Sequence, residues 1–197
     1  MNNASTETHP LPPFLPAGAR LLMLGSFPPQ QKRWSMDFYY PNFNNDMWRV
    51  MAYIFYDNPL YFVDSAHKRF VKQDIVDFLS RTGIALHDAA QQVIRLKNNA
   101  SDKDLHIVKA TELQLLLSQL PHCHAIATTG QKATTTICEQ LGITPPPVSG
   151  CRTLTYLGRE LRLYRMPSTS RAYPMSLQRK AEAYRAMLQQ EGLFKQP

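Results

Sequence analysis

Four short stretches of this 197-residue chain carry side chains with the types and spacing to do chemistry. In Pro167-Ser168-Thr169-Ser170 small hydroxyls sit beside free backbone N–H groups just ahead of an expected helix, and Arg171 adjoins them. That is the form of a phosphate grip, although an ordinary Ser/Thr-rich turn before a capped helix has the same composition. Gly25-Ser26 ends an apolar run and opens a loop that holds Pro28-Pro29, Trp34, Phe38, Tyr39 and Tyr40, then Asn42, Asn44 and Asn45. Rings and amides interleaved with prolines lack the period of a core face, and they suit a pocket for a flat polar molecule such as a nucleobase. His87-Asp88 has the types of a base and its orienter, but neighbours in a strand point to opposite faces, which favours a structural role. Thr129-Gly130, with Lys132 just beyond, completes the set.

Several chemistries are missing. A phosphate loop needs GxxxxGK[ST] and a dinucleotide fold needs GxGxxG after the first strand; neither occurs. The GxSxG of a nucleophile elbow is absent too. Six histidines show no HExxH-like spacing, and Cys123, Cys138 and Cys151 show no CxxC, so neither metal nor cofactor is expected. Asn45 stands just before an amphipathic helix that opens at Asp46, where an asparagine also makes a good helix cap.

The elements that must position these residues alternate. Strands are expected at 19–24, 84–86 and 124–127, each followed by a loop and a helix. Leu154 to Met166, turning at Leu157-Gly158, reads as a hairpin or as a strand with an added partner. One helix runs from Asp46 to a break at Asn58-Pro59, another starts near Ser65 and ends at Gly83, and a third spans 111–120. The run from Gln91 to Lys103 is polar, with a turn at Asn98-Asn99. Gln131 to Leu141 and the segment from Ser176 make the last two helices. Such alternation predicts an α/β domain, a parallel sheet covered on both faces, with strand ends gathered on one edge where ligands bind. Residues 1–18 read as an extended arm or frayed tail, and 19–192 as a single domain.

Hydrophobic residues make up 44% of the chain and charged ones 19%, with no apolar run long enough for a membrane span and no signal-peptide form at the start. A soluble, cytoplasmic monomer is the expectation. The net charge is +7 and the pI about 9.4. Arg152, Arg159, Arg162, Arg165, Arg171, Arg179, Lys180 and Arg185 concentrate it in the last quarter, as suits a polyanionic partner.

Taken in order, GSFPP, YYPNFNNDMW, GIALHDAAQQVIR with SDKDL, ATTGQKA and MPSTSRAY resemble the motifs of the uracil-DNA glycosylase superfamily, and most nearly its hypoxanthine-DNA glycosylase branch. The resemblance spans about residues 19–188. It implies a three-layer α/β/α fold around a four-stranded parallel sheet, and excision of a deaminated base flipped from DNA, hypoxanthine or uracil, as part of base excision repair near the nucleoid. Carried onto this chain, it places Gly25, Ser26 and Phe27 in the loop lining the base pocket and Tyr40 where a ring stacks on the extruded base. Asn45 takes the place of a water-aligning asparagine. Ser168, Thr169, Ser170 and Arg171 take the DNA-gripping motif. Pro29, Asn42-Phe43 and Arg171-Ala172-Tyr173 depart from the family pattern, so a DNA-binding module without catalysis stands beside the glycosylase as a second reading.

Overall fold

The computed structural model describes residues 5–97 and 102–195. Four strands form its parallel centre: β2 (Leu21–Gly25), β5 (Ile84–Asp88), β8 (Ala125–Thr129) and β10 (Arg159–Met166), after a first short strand, β1 (Thr6–Thr8). Strand β9 (Cys151–Tyr156) pairs antiparallel with β10 through a turn at Leu157 and Gly158, both at positive φ, giving the order β5-β2-β8-β10-β9. The sheet is therefore five-stranded and mixed rather than four-stranded and parallel. The hairpin supplies the fifth strand, because the left-handed pair at its turn matches the twist of two antiparallel strands.

Alternate residues of these strands feed two cores. Leu21, Met23, Ile84, Leu86, Ala125 and Ala127 pack against α1 (Met47–Tyr56), α2 (Lys72–Thr82) and α5 (Leu177–Gln190). Leu22, Leu24, Ala85, Ile126, Leu161 and Leu163 pack against α3 (Leu113–Ser118) and α4 (Gln131–Leu141). Apolar on both faces and covered on both, these strands read as continuous hydrophobic runs for that reason.

Two segments differ from expectation. No helix starts at Ser65: β3 (Val63–Asp64) and β4 (Arg69–Phe70) form a small hairpin, closed by the Asp64 carboxylate accepting from Arg69 Nε and His67 Nδ1. The polar run after His87-Asp88 is β-structure. Strand β6 (Ala90–Arg95) pairs with β7 (Leu105–Ala110) on one side and β1 on the other. Register shifts around Gln92 break the period-two pattern that would have marked a strand. The turn expected at Asn98-Asn99 lies outside the described residues. Through β1 and the Phe14–Leu86 bridge, the N-terminal arm is tied along the body of the protein.

Candidate active site

The carboxyl ends of β2, β5 and β8 gather on one edge of the sheet, where an open α/β fold keeps its ligand crevice, and a close approach sets the floor there. A Cβ on Gly25 would lie 2.4 Å from Asp88 Oδ1 and 3.3 Å from the Tyr40 hydroxyl, so only glycine fits. The Tyr40 hydroxyl shares a 2.9 Å hydrogen bond with Thr129 Oγ1 at the end of β8. Its backbone sits at φ 50, and its ring meets Trp48 edge-on at 6.0 Å. Burial, with Asp88 adding, pushes the Tyr40 phenol far above its ordinary value, so it stays a neutral hydroxyl. Ser26 Oγ donates at 2.7 Å to Oδ1 of Asp102, which lies in the connection just before β7.

Behind the floor lies a buried polar cluster that draws in the arm. His9 Nε2 bonds Asp88 Oδ2 at 2.9 Å, and the His9 ring lies 4.7 Å from that of His87. The Tyr39 hydroxyl donates its single proton to the Pro12 carbonyl, so His87 Nδ1–H donates to Tyr39 at 2.7 Å. Burial, reinforced by His9 and opposed by Asp88, pushes His87 down to about 4. His87 and Asp88 thus converge on one histidine from the arm. Phe27 adjoins this cluster: its buried ring meets that of His9 edge-on at 5.3 Å, packs with Ala90, Val93 and Leu105 beside the Arg95 guanidinium, and borders a cavity of about 270 Å³.

A second group forms a ridge beside the crevice. Asn45 and Ser170 make an antiparallel bridge, and Asp46 N donates to the Thr169 carbonyl at 2.9 Å. Buried Lys180, from α5, ties the two segments together from below: its Nζ bonds Asp46 Oδ2 at 2.9 Å and the Ser170 carbonyl at 2.8 Å. Arg171 Nε reaches the other Asp46 oxygen at 3.3 Å. Arg49 grips the loop from α1, donating to the Phe43 and Asn45 carbonyls with its guanidinium 4.5 Å from the Phe43 ring centroid. Burial, with Arg171 adding and Asp46 opposing, lowers the Arg49 pKa. Asn45 Oδ1 accepts from Met47 N at 2.9 Å, so this side chain takes up the first N–H of α1 from the position before the N-cap, Asp46. Ser168 and Ser170 accept from the backbone two residues ahead, forming successive Ser turns, and Ser170 and Arg171 are exposed.

The two groups join at the end of β8. Thr129 holds Tyr40, and the next residue, Gly130, lies against Ser168, which a Cβ at Gly130 would meet at 3.5 Å. The structure therefore brings Gly25, Ser26 and Tyr40 together, and Asn45 with Ser168, Thr169, Ser170 and Arg171, while the Phe27 ring packs edge-on against His9 and lines the neighbouring cavity. Sequence reasoning missed Asp46, Arg49, Asp102 and Lys180 as site-building residues. A signal for Lys180 was available, since it shares the helix face of Leu177, Ala181 and Tyr184, where a lysine needs a buried partner. Much of the C-terminal charge is structural: Arg159 donates to the Leu117 and Leu120 carbonyls, Arg162 pairs with buried Glu191, Arg152 bonds Thr144, and Arg165 bonds Gln131 and the Pro146 carbonyl.

Among the described residues no group of three or more His, Cys, Asp or Glu is placed to hold a metal ion. No family model matches the chain, and no curated protein does. Solved structures do. One is the solution NMR structure of a Methanosarcina acetivorans protein that carries the provisional name of uracil DNA glycosylase. It superposes with a TM-score of 0.57 at 18% identity, over 92% of this chain and 96% of that one. At that identity the likeness is one of fold: this chain has the mixed α/β, uracil-DNA-glycosylase-like architecture, with a central sheet between helical layers.

Proposed function

We propose that this protein is a monofunctional DNA glycosylase that extrudes a deaminated base, hypoxanthine or uracil, and hydrolyses its N-glycosidic bond. The observation that carries this reading is the bridge between Asn45 and Ser170 at the rim of a crevice floored by Gly25, Ser26 and Tyr40. It sets a neutral amide beside an exposed hydroxyl and arginine, on the same edge of the sheet as Gly25 and Tyr40. Extrusion costs a few kcal/mol. Ser168, Ser170 and Arg171 would hold the distorted phosphates, and Tyr40 would stack on the base for roughly 1–3 kcal/mol. As the bond breaks toward an oxocarbenium-like sugar, negative charge gathers on the leaving base, and backbone N–H groups at Gly25 to Phe27 are the candidate donors for it. Asn45 takes up no proton. Its carbonyl oxygen keeps a second lone pair beyond the one given to Met47 N, and that pair with its NH₂ group would orient the attacking water. Lys180 is committed to Asp46 and the Ser170 carbonyl, so it serves as a clamp and not as a nucleophile. The fold relative from Methanosarcina acetivorans supports the reading by its name. The protein would act as a monomer on DNA in the cytoplasm.

The cap made by Asn45 favours a second reading, a DNA-binding module that has lost catalysis. Single-turnover incubation with duplexes holding one deoxyinosine or deoxyuridine separates the two. Base release that yields strand breaks only after alkali is the expected result; tight, salt-sensitive binding without release would make the module the correct account.

A further inference from the structure

Asp102 has no part in the mechanism above, yet it hydrogen-bonds a residue of the proposed base pocket. It lies just before β7, and its carboxylate crosses to the end of β2, where it accepts the Ser26 hydroxyl proton at 2.7 Å. Lys132 at the start of α4 and Arg95 of β6 attract it, and Asp88 of β5 repels it. A serine has one proton to donate. With that proton committed to Asp102, Ser26 Oγ offers only lone pairs to a ligand. Deamination changes a base at one ring nitrogen in the matching way: hypoxanthine N1 and uracil N3 carry hydrogen, whereas adenine N1 and cytosine N3 carry a lone pair.

We propose that Asp102 is a positioning residue for base selection, fixing Ser26 Oγ as an obligate acceptor that takes the ring N–H of a deaminated base and rejects the ring lone pair of its parent. This assignment rests on the glycosylase reading for the identity of the ligand. A buried acceptor left facing a lone pair loses its hydrogen bond and gains a repulsion, and sites that hydrogen-bond a ligand group discriminate strongly against analogues lacking it. The raised pKa of Asp102, caused chiefly by burial with Asp88 adding and Ser26, Lys132 and Arg95 opposing, sets the acid limit of the device. Once protonated, Asp102 no longer demands the Ser26 proton, and the hydroxyl is free to turn.

The test is binding of the full chain to duplexes carrying a single 2′-fluorinated, cleavage-resistant deoxyinosine or deoxyadenosine. Wild type is expected to prefer the inosine duplex about tenfold or more, a preference that fades as pH falls through the Asp102 titration. Asp102→Ala and Ser26→Ala should each erase it and its pH dependence, and the double variant should do no more than either. Thermal melts check that each variant is folded, and Ser26→Ala carries the test alone if Asp102→Ala is not. Retention of the preference in a folded single variant, or losses that multiply in the double variant, would overturn the assignment. Base release from ordinary duplexes is measured in parallel: a wild type with the expected preference but no release would sink the catalytic reading while leaving the role of Asp102 standing.

Discussion

The floor of the crevice and the ridge beside it are built in opposite ways. At the floor, backbone register does the positioning: Gly25 lies opposite Asp88 in the β2–β5 ladder, and the missing Cβ lets the Asp88 carboxylate and the Tyr40 hydroxyl close in. At the ridge a side chain does it. Lys180 reaches from α5 to pin Asp46 and the Ser170 carbonyl, holding two loops that no extended sheet joins. A floor set by the ladder is rigid and shaped for selection. A ridge held from behind by the buried Lys180–Asp46 pair, with Arg171 reaching Asp46 from its outer side, leaves Ser170 and Arg171 exposed to a flexible polyanion.

The contrast is most exposed at the clamp. Lys180→Met leaves the buried Asp46 carboxylate with only the longer Arg171 contact, and stability should fall by about 3–5 kcal/mol, read as a lower urea midpoint. Adding Asp46→Asn should recover much of that loss, because it removes the stranded charge. Failure of the second change to help would show that the ridge is not held by charge.

Next in size is an acid effect confined to the floor's support. His87 is held near 4 in the folded protein, below its ordinary 6.5, so the unfolded chain takes up its proton first as pH falls. The stability this group contributes is complete above about pH 6.5 and drains away as pH drops to about 4, on the order of 3 kcal/mol in all. His87→Gln should flatten that slope between pH 7 and 5; an unchanged slope would assign it elsewhere.

Gly25→Ala presses a methyl group into Asp88 and Tyr40. An overpacking cost of about 1–3 kcal/mol is expected, with a loss of base release larger than the drop in melting temperature would explain. The smallest effect belongs to the ridge surface. Arg171→Ala should leave the melt nearly unchanged while lowering the salt dependence of duplex binding by about one unit of slope.

How much was legible follows from the same contrast. The apolar runs ending in Gly25-Ser26 and Thr129-Gly130 mark buried parallel strands, and Ser176 caps α5 as its position suggests, accepting from Arg179 N. The floor could be read because backbone geometry writes itself into glycine and apolar patterning. Strands β6 and β7 could not, since the irregular pairing near Gln92 hides their alternation. Nor could the role of Asp102, a carboxylate in a polar loop 76 residues from its partner. Composition alone could not tell which arginines of the basic C-terminal quarter are used within the protein: Arg159 and Arg162 donate to protein groups, a choice that only tertiary contacts reveal.

Asn45 decides the central claim, since it either orients water or only caps a helix. Single-turnover base release from a deoxyinosine duplex, wild type against Asn45→Ala at equal saturation, is the direct measurement. A loss of about 100-fold or more with duplex binding retained is the predicted result. Equal rates in the two proteins would return Asn45 to its cap and leave the ridge as a DNA grip alone.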